Sequence, residues 1–142
     1  MFASKELCEK LYKLTNWLPS EYLIGGWRWC LMRDGSWELL RLHDTEGILG
    51  DSEYAEFIKK AWFDGLPAYD LGYLIRKLPA FIQESRGQYP LRMSRTKADN
   101  YFYRFQYQAP TYGPRHSCID AEPENAAIKL CIALVEQGVI KP

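Results

Sequence analysis

The spacing of apolar and polar positions predicts amphipathic helices at both ends of the chain. After Ser4, a candidate N-cap, apolar residues recur at intervals of one, three and four up to about Trp17. Near the other end, Pro123 suits the first turn of a helix and Gly138 suits its C-terminal stop. The stripe between them consists of Ala127, Leu130, Cys131 and Leu134. These two segments are therefore expected to bury one face each.

Two further helices are predicted in the middle of the chain. The segment "GDSEYAEFIKKAWFDG" offers Asp51 as N-cap and Gly65 as the stop. The segment "PAYDLGYLIRKLPAFI" offers Asp70 as N-cap, and Pro79 ends the periodic pattern. The pattern thus predicts about four helices.

Alternating apolar residues around an Asp-Gly pair predict a first hairpin in "GGWRWCLMRDGSWELLRLH". A two-residue turn at 34–35 would pair Met32 with Trp37 and place Arg28 opposite Arg41. Both faces of this hairpin are largely apolar, which is typical of strands covered on two sides. The arginine pair indicates that one end of the hairpin reaches water or an anion.

A second hairpin is predicted in "LRMSRTKADNYFYRFQYQ", with its turn near residues 97–100. The preceding Gly-Gln-Tyr-Pro stretch, residues 87–90, has the composition of a loop. The element order α-β-β-α-α-β-β-α is an α+β pattern. We therefore expect a single domain over residues 1–142, with two antiparallel hairpins in one sheet packed against the helices.

The second hairpin contains "NYFYRFQYQAP", with five aromatic rings in seven residues. In a strand, side chains alternate between the two faces. One face then carries Tyr101, Tyr103, Phe105 and Tyr107, and the other carries Phe102, Arg104, Gln106 and Gln108. The usual alternation of antiparallel sheets predicts that the ring face is core and that the Arg/Gln face is exposed.

An exposed Arg/Gln face is suited to binding a phosphate-bearing ligand. Arg104 could hold a phosphate, and Gln106 could hydrogen-bond a base or a backbone edge. The remaining candidate ligand-binding residues are Phe102, Arg92, Arg95 and Arg115. The same composition also serves protein interfaces, where Tyr, Trp and Arg are favoured anchors. Both interpretations stay open.

Charge and composition restrict the partners. Eighteen basic and eighteen acidic residues give no net charge, so single-stranded nucleic acid is a less favoured partner than a protein or a small nucleotide. The sequence shows no membrane segment, no leader and no cofactor motif, and a homo-oligomer is compatible with it. The four cysteines lack metal or redox spacing, which favours a cytoplasmic location.

Candidate catalytic groups are few, because the chain has only two histidines. One adjoins an acid as His43-Asp44, and the other lies two residues before a cysteine, as His116 and Cys118. A divalent ion on Asp44, Glu46, Asp51 and Glu53 is conceivable, but helix capping and the helix dipole explain the last two. The standard nucleotide, hydrolase and zinc-protease motifs are missing. We expect no metal site and no enzymatic activity.

Three stretches, "PAYDLGYLIRKLP", "YRFQY" and "AEPENAAIKLCIALVEQGVI", resemble a recurrent type of small accessory protein encoded by tailed phages and prophages. The resemblance covers most of the chain, and it implies a protein that acts inside a bacterial host cell. The function expected from it is noncatalytic binding that counters host defence, by sequestering a small nucleotide signal or by blocking a defence protein. The alternatives are a single-stranded nucleic-acid-binding protein and, less favoured, a small enzyme.

Overall fold

The computed structural model describes residues 1–43, 52–97, 101–109 and 113–142. Its helices are α1 (Lys5–Thr15), α2 (Ser20–Leu23), α3 (Ser52–Phe63), α4 (Leu71–Lys77) and α5 (Pro123–Glu136). Its strands are β1 (Arg28–Leu31), β2 (Trp37–Leu40), β3 (Leu66–Pro67), β4 (Phe81–Glu84), β5 (Gly87–Lys97), β6 (Tyr101–Tyr107) and β7 (Arg115–Asp120). The predicted α+β class is confirmed.

The strands form two antiparallel sheets, with the orders β2-β1-β3 and β4-β5-β6-β7. Both predicted hairpins are present, as β1–β2 and β5–β6, but they lie in different sheets instead of one. Strand β3 pairs with β1, while β4 and β7 flank the second hairpin.

The turn of the first hairpin differs from the predicted two-residue turn. Met32 N donates to Ser36 O (2.8 Å), Gly35 N donates to Met32 O (3.0 Å), and Gly35 has a φ of +84°. A turn followed by a left-handed glycine adds one residue to the loop and matches the twist of the strands. The register therefore moves by one position, and Leu31 instead of Met32 lies opposite Trp37.

Residues 87–90, predicted as loop, are the beginning of β5 and pair with β4. Gln108 N donates to Pro90 O (3.1 Å), but Pro90 has no N–H with which to return a bond. The proline therefore lies where the ladder between β5 and β6 ends, while its pairing with Phe81 continues the ladder to β4. Strand β7 was also not predicted.

The main core lies on one side of the four-stranded sheet. Helix α5 packs on β6 and β7, and α1 and α4 pack on α5. The predicted stripe of α5 is confirmed, since Ala127, Leu130, Cys131 and Leu134 are all fully buried. The smaller sheet contacts α1 through β3 and α3 through β1.

Two of the residues predicted to end or begin helices have the expected role. Asp70 accepts a hydrogen bond from Tyr73 N (2.7 Å) and caps α4 as predicted. Gly138, with a φ of +73°, follows α5, and Val139 N donates to Leu134 O (2.8 Å) in a Schellman arrangement. Asp51, predicted to cap α3, lies outside the described residues.

Candidate ligand-binding face of the four-stranded sheet

The aromatic residues of β6 point mainly into the core. Phe105 and Tyr107 are buried and Tyr103 is half-buried, whereas Phe102 and Arg104 are exposed. The Tyr107 hydroxyl donates to Pro79 O (2.7 Å), which satisfies its polar atom. The predicted division of the strand into a ring face and an Arg/Gln face is therefore correct for these residues.

The opposite side of the sheet is called the outer face here. Cross-strand partners share one side of a sheet, so the register defines its members. They are Phe81, Gln83, Gln88, Pro90, Arg92, Ser94, Thr96, Phe102, Arg104, Gln106 and Ile119. These residues include two arginines and no aspartate or glutamate, so the outer face carries positive charge although the chain is neutral.

Arg92 and Arg104 are exposed on adjacent strands. Arg92 lies opposite Gln106, and Arg104 lies opposite Ser94, so the two arginines are diagonal neighbours with Cα atoms about 7–8 Å apart. Neither guanidinium forms an ion pair or hydrogen bond with any residue in the described ranges. Both remain available to an anion.

Exposed rings lie beyond the arginines in both directions. Phe102 is 38% exposed at one end of β6, and Phe81 is 49% exposed on β4. Their partners in β5, Thr96 and Pro90, are six residues apart, which places the two rings about 20 Å from each other. Phe81 was missed from the sequence because β4 was not predicted.

Gln106 is less accessible than predicted. It is half-buried, and its Nε2 donates to Gln108 Oε1 (2.9 Å). Its own Oε1 is buried and has no hydrogen-bond partner among the described residues. A buried acceptor without a donor costs about 1–3 kcal/mol, so this amide gains from any donor that reaches it.

Two predicted ligand-binding residues lie elsewhere. Arg95 pairs with Tyr103 on the inner side of the sheet, with its guanidinium carbon 5.7 Å from the Tyr103 ring centre. Arg115 lies opposite Tyr107, and its Nε is 3.4 Å from Glu84 Oε2. The structure thus groups four of the six predicted residues and separates these two from them.

The neighbourhood of His116 and Cys118 does not have the geometry of a nucleophilic pair. A β-bulge interrupts β7 there, His116 has a φ of +50°, and its Nε2 lies 3.8 Å from Glu84 Oε1. In the described structure the two side chains are not hydrogen-bonded to each other. Burial raises the pKa of the Cys118 thiol, which is opposite to the shift that a thiolate nucleophile needs.

The other histidine, His43, is exposed, but its predicted partner Asp44 lies outside the described residues, as do Glu46 and Asp51. Within the described ranges, no group of three or more His, Cys, Asp or Glu residues is arranged to hold a metal ion. Over the same ranges, no helix has the length and apolar character needed to cross a bilayer.

The pairing of Arg28 with Arg41 was predicted to open this end of the hairpin to water or an anion, and for Arg28 this prediction is wrong. It lies opposite Leu40 and is only 6% exposed. Its guanidinium carbon is 3.6 Å from the Tyr22 ring centre, and its nitrogens donate to the carbonyls of Tyr22, Trp62 and Phe63. Burial lowers the pKa of this guanidinium. Arg28 is a structural residue in this position.

Comparison with known proteins assigns no relationship. No protein-family model matches the sequence, and neither curated proteins nor solved structures give a significant match.

Proposed function

We propose that this protein is a noncatalytic binding protein that holds single-stranded nucleic acid across the outer face. The observation that supports this most strongly is the pair Arg92 and Arg104, which are exposed and adjacent, and which have no ion pair or hydrogen bond and no acidic neighbour on the outer face among the described residues. Guanidinium groups bind phosphate oxygens in a bidentate manner. Two of them side by side suit consecutive phosphates of one strand.

The arrangement of the rings favours an extended ligand. Phe81, Arg92 and Arg104 follow a diagonal across three strands of the sheet, and Phe102 lies two residues from Arg104 on the same strand, which gives the order ring, guanidinium, guanidinium, ring. Bases stack on exposed rings with little regard to sequence, while the charges follow the backbone. Rings about 20 Å apart are too distant for one mononucleotide, but a short single strand spans them.

Hydrogen bonding adds a smaller contribution. Ser94 and Thr96 add exposed hydroxyls on β5, directly opposite Arg104 and Phe102. No step in this binding requires a nucleophile, a general base or a metal ion.

This proposal reverses the order of preference reached from the sequence, where a small nucleotide or a host protein preceded nucleic acid. Sites that retain small molecules are concave and bury most of the ligand surface. The outer face instead presents its charges on the side of the sheet opposite the helices. The phage origin, the cytoplasmic location and the role against host defence stay predictions from the resemblance.

The direct test is fluorescence anisotropy with a labelled single strand of about 12 nucleotides, within the usual range of site sizes. We expect the labelled strand to bind. An unlabelled duplex of the same sequence should compete at least about tenfold less well than the unlabelled single strand, because paired bases cannot stack on the rings. A mixture of cyclic and linear small nucleotides should compete weakly. Tight binding of a small nucleotide without binding of strands would contradict the proposal.

A matched pair of variants tests whether the outer face is the surface that binds the strand. Phe102→Leu keeps an apolar side chain but removes the stacking surface, and it should weaken strand binding by roughly fivefold or more. Phe63→Leu changes a ring on α3 that is more exposed than Phe102 (64% against 38%) and lies away from the outer face, and it should leave binding unchanged. Equal effects of the two substitutions would place the ligand elsewhere.

A further inference from the structure

A small cavity beside α2 and the beginning of α4 is lined mainly by aromatic residues. Its volume is about 90 Å³, and the residues that line it are Phe2, Pro19, Tyr22, Trp27, Ala68, Asp70 and Tyr73. We propose that this cavity binds a methylated ammonium group, such as the head group of choline or a trimethylated lysine side chain. This site is separate from the outer face and does not depend on the function proposed for it.

The rings are held in place by the fold. Phe2 forms a β-bridge with Asp70, and its ring lies 5.8 Å from that of Trp27. The Tyr22 hydroxyl donates to Gly65 O (3.1 Å), and the Tyr73 ring stacks on that of Tyr69 at 5.4 Å. Rings fixed before the ligand arrives lose little conformational freedom on binding.

Asp70 is the acid among the residues that line the cavity, and no lysine or arginine lines it, although Arg76 on α4 lies near Asp70 Oδ1 because both groups approach Gly72. Asp70 Oδ1 accepts the hydrogen bond from Tyr73 N, and no ion pair joins Asp70 to a cation in the described part of the chain. Asp70 is exposed, so its second oxygen remains open to solvent or to a ligand. One negative charge beside several ring faces complements a single positive charge.

Arginine and lysine side chains of the protein that do not line the cavity already lie close to three of these rings. The guanidinium carbon of Arg41 lies 4.7 Å from the Trp27 ring centre, and Lys77 Nζ lies 5.4 Å from that of Tyr73. Arg28 lies against Tyr22, but three carbonyl oxygens accept hydrogen bonds from its guanidinium. None of these three cations lines the cavity itself.

Size and chemistry select the methylated form. Pockets that hold whole drug-sized ligands begin at about 300 Å³, so this cavity accommodates a head group only. A bare ammonium needs three hydrogen-bond acceptors, whereas among the lining side chains only the Tyr22 and Tyr73 hydroxyls and the Asp70 carboxylate can accept. Methyl groups instead make van der Waals contact with the rings and spread the positive charge towards them.

The test is a titration in which the ¹H chemical shift of the choline methyl groups is measured as protein is added. The same titration with 3,3-dimethylbutan-1-ol, the uncharged isostere of choline, is the comparison. Ring currents should shift the choline methyl signal upfield in a saturable way, and the isostere should bind at least about tenfold more weakly. A peptide carrying trimethyllysine is titrated in parallel. The tighter of choline and the peptide identifies the source of the head group.

The decisive variant is Asp70→Asn, because asparagine caps a helix as well as aspartate does but carries no charge. It should keep the melting temperature close to wild type and weaken choline binding by about fivefold or more. Asp64→Asn, an acid that does not line the cavity, is the control and should have no effect. Equal binding of the isostere, an unchanged affinity in Asp70→Asn, or no saturable shift would each overturn the proposal.

Discussion

The guanidinium carbon of Arg28 lies 3.7 Å from the centre of the Trp62 ring, and Arg28 also donates a hydrogen bond to the carbonyl oxygen of Trp62 (3.0 Å). A second bond reaches Phe63 O (3.2 Å), the last residue of α3. The carbonyls at a helix C-terminus lack partners within the helix and carry the negative end of its dipole. Arg28 thus joins the smaller sheet to the end of α3.

Replacing Arg28 by methionine should destabilise the protein by about 2–4 kcal/mol, because the carbonyls of Tyr22, Trp62 and Phe63 lose their donor in a buried place. Urea unfolding followed by tryptophan fluorescence measures the loss. Arg33→Met is the matched control, since Arg33 lies on the same hairpin and contacts the Phe57 ring from an exposed position. It should cost less than about 1 kcal/mol. Similar losses in both variants would refute the capping role of Arg28.

Substitutions on the two sides of β6 should separate stability from binding. Phe105→Ala empties a buried position and should cost about 3–5 kcal/mol, whereas Arg104→Ala should change the stability by less than about 0.5 kcal/mol. Tyr103 is half-buried, so Tyr103→Ala should cost less than Phe105→Ala. Thermal unfolding of the three variants gives the ranking. A stable Phe105→Ala protein would show that the inner side of β6 is not core.

The buried thiols should make the protein sensitive to alkali. Burial raises the pKa of Cys8 and Cys30 to about 11 and that of Cys131 to about 12, from an ordinary value of 9.0. Above pH 9 the unfolded chain loses thiol protons that the folded chain keeps. The folded state then binds more protons than the unfolded state, so its stability, complete below pH 9, falls between about pH 9 and 11.

Urea unfolding at pH 8 and pH 10 tests this shift. The wild-type protein should lose about 2–4 kcal/mol more between these pH values than a variant with alanine at positions 8, 30 and 131. The pKa of Tyr69 and of Tyr107 is also raised by burial, so the variant should retain some loss at higher pH. Parallel losses in both proteins would show that the thiols do not carry the effect.

Periodicity and capping residues were sufficient to predict α1, α3, α4 and α5, since the signals lie within each segment, whereas the four-residue α2 was not predicted. Asp70 and Gly138 mark helix ends through local hydrogen bonding and backbone freedom, and both have the predicted role. Strand β3 has two residues, which is too short for a periodic pattern. Its pairing with β1 depends on a partner distant in the sequence, and so did the division into two sheets.

The candidate site was predictable in part for the same reason. Alternation along β6 placed Phe102 and Arg104 on the exposed side, and Arg92 joins them through the register of the hairpin. Arg95 falls on the inner side because it is three positions, an odd number, from Arg92 along the same strand. Phe81 could be found only with β4 in place, although the alternation and the glycine in "FIQESRGQYPL" were a usable hairpin signal.

The salt dependence of strand binding tests most directly whether Arg92 and Arg104 hold phosphates. Two phosphate contacts predict a slope of about −1.4 for the logarithm of the association constant against the logarithm of the salt concentration. Arg92→Gln and Arg104→Gln should each reduce the slope to about −0.7, while Arg95→Gln, on the inner side, should leave it unchanged. Slopes that stay the same in both outer-face variants, or that change only in Arg95→Gln, would contradict the assignment of the binding face.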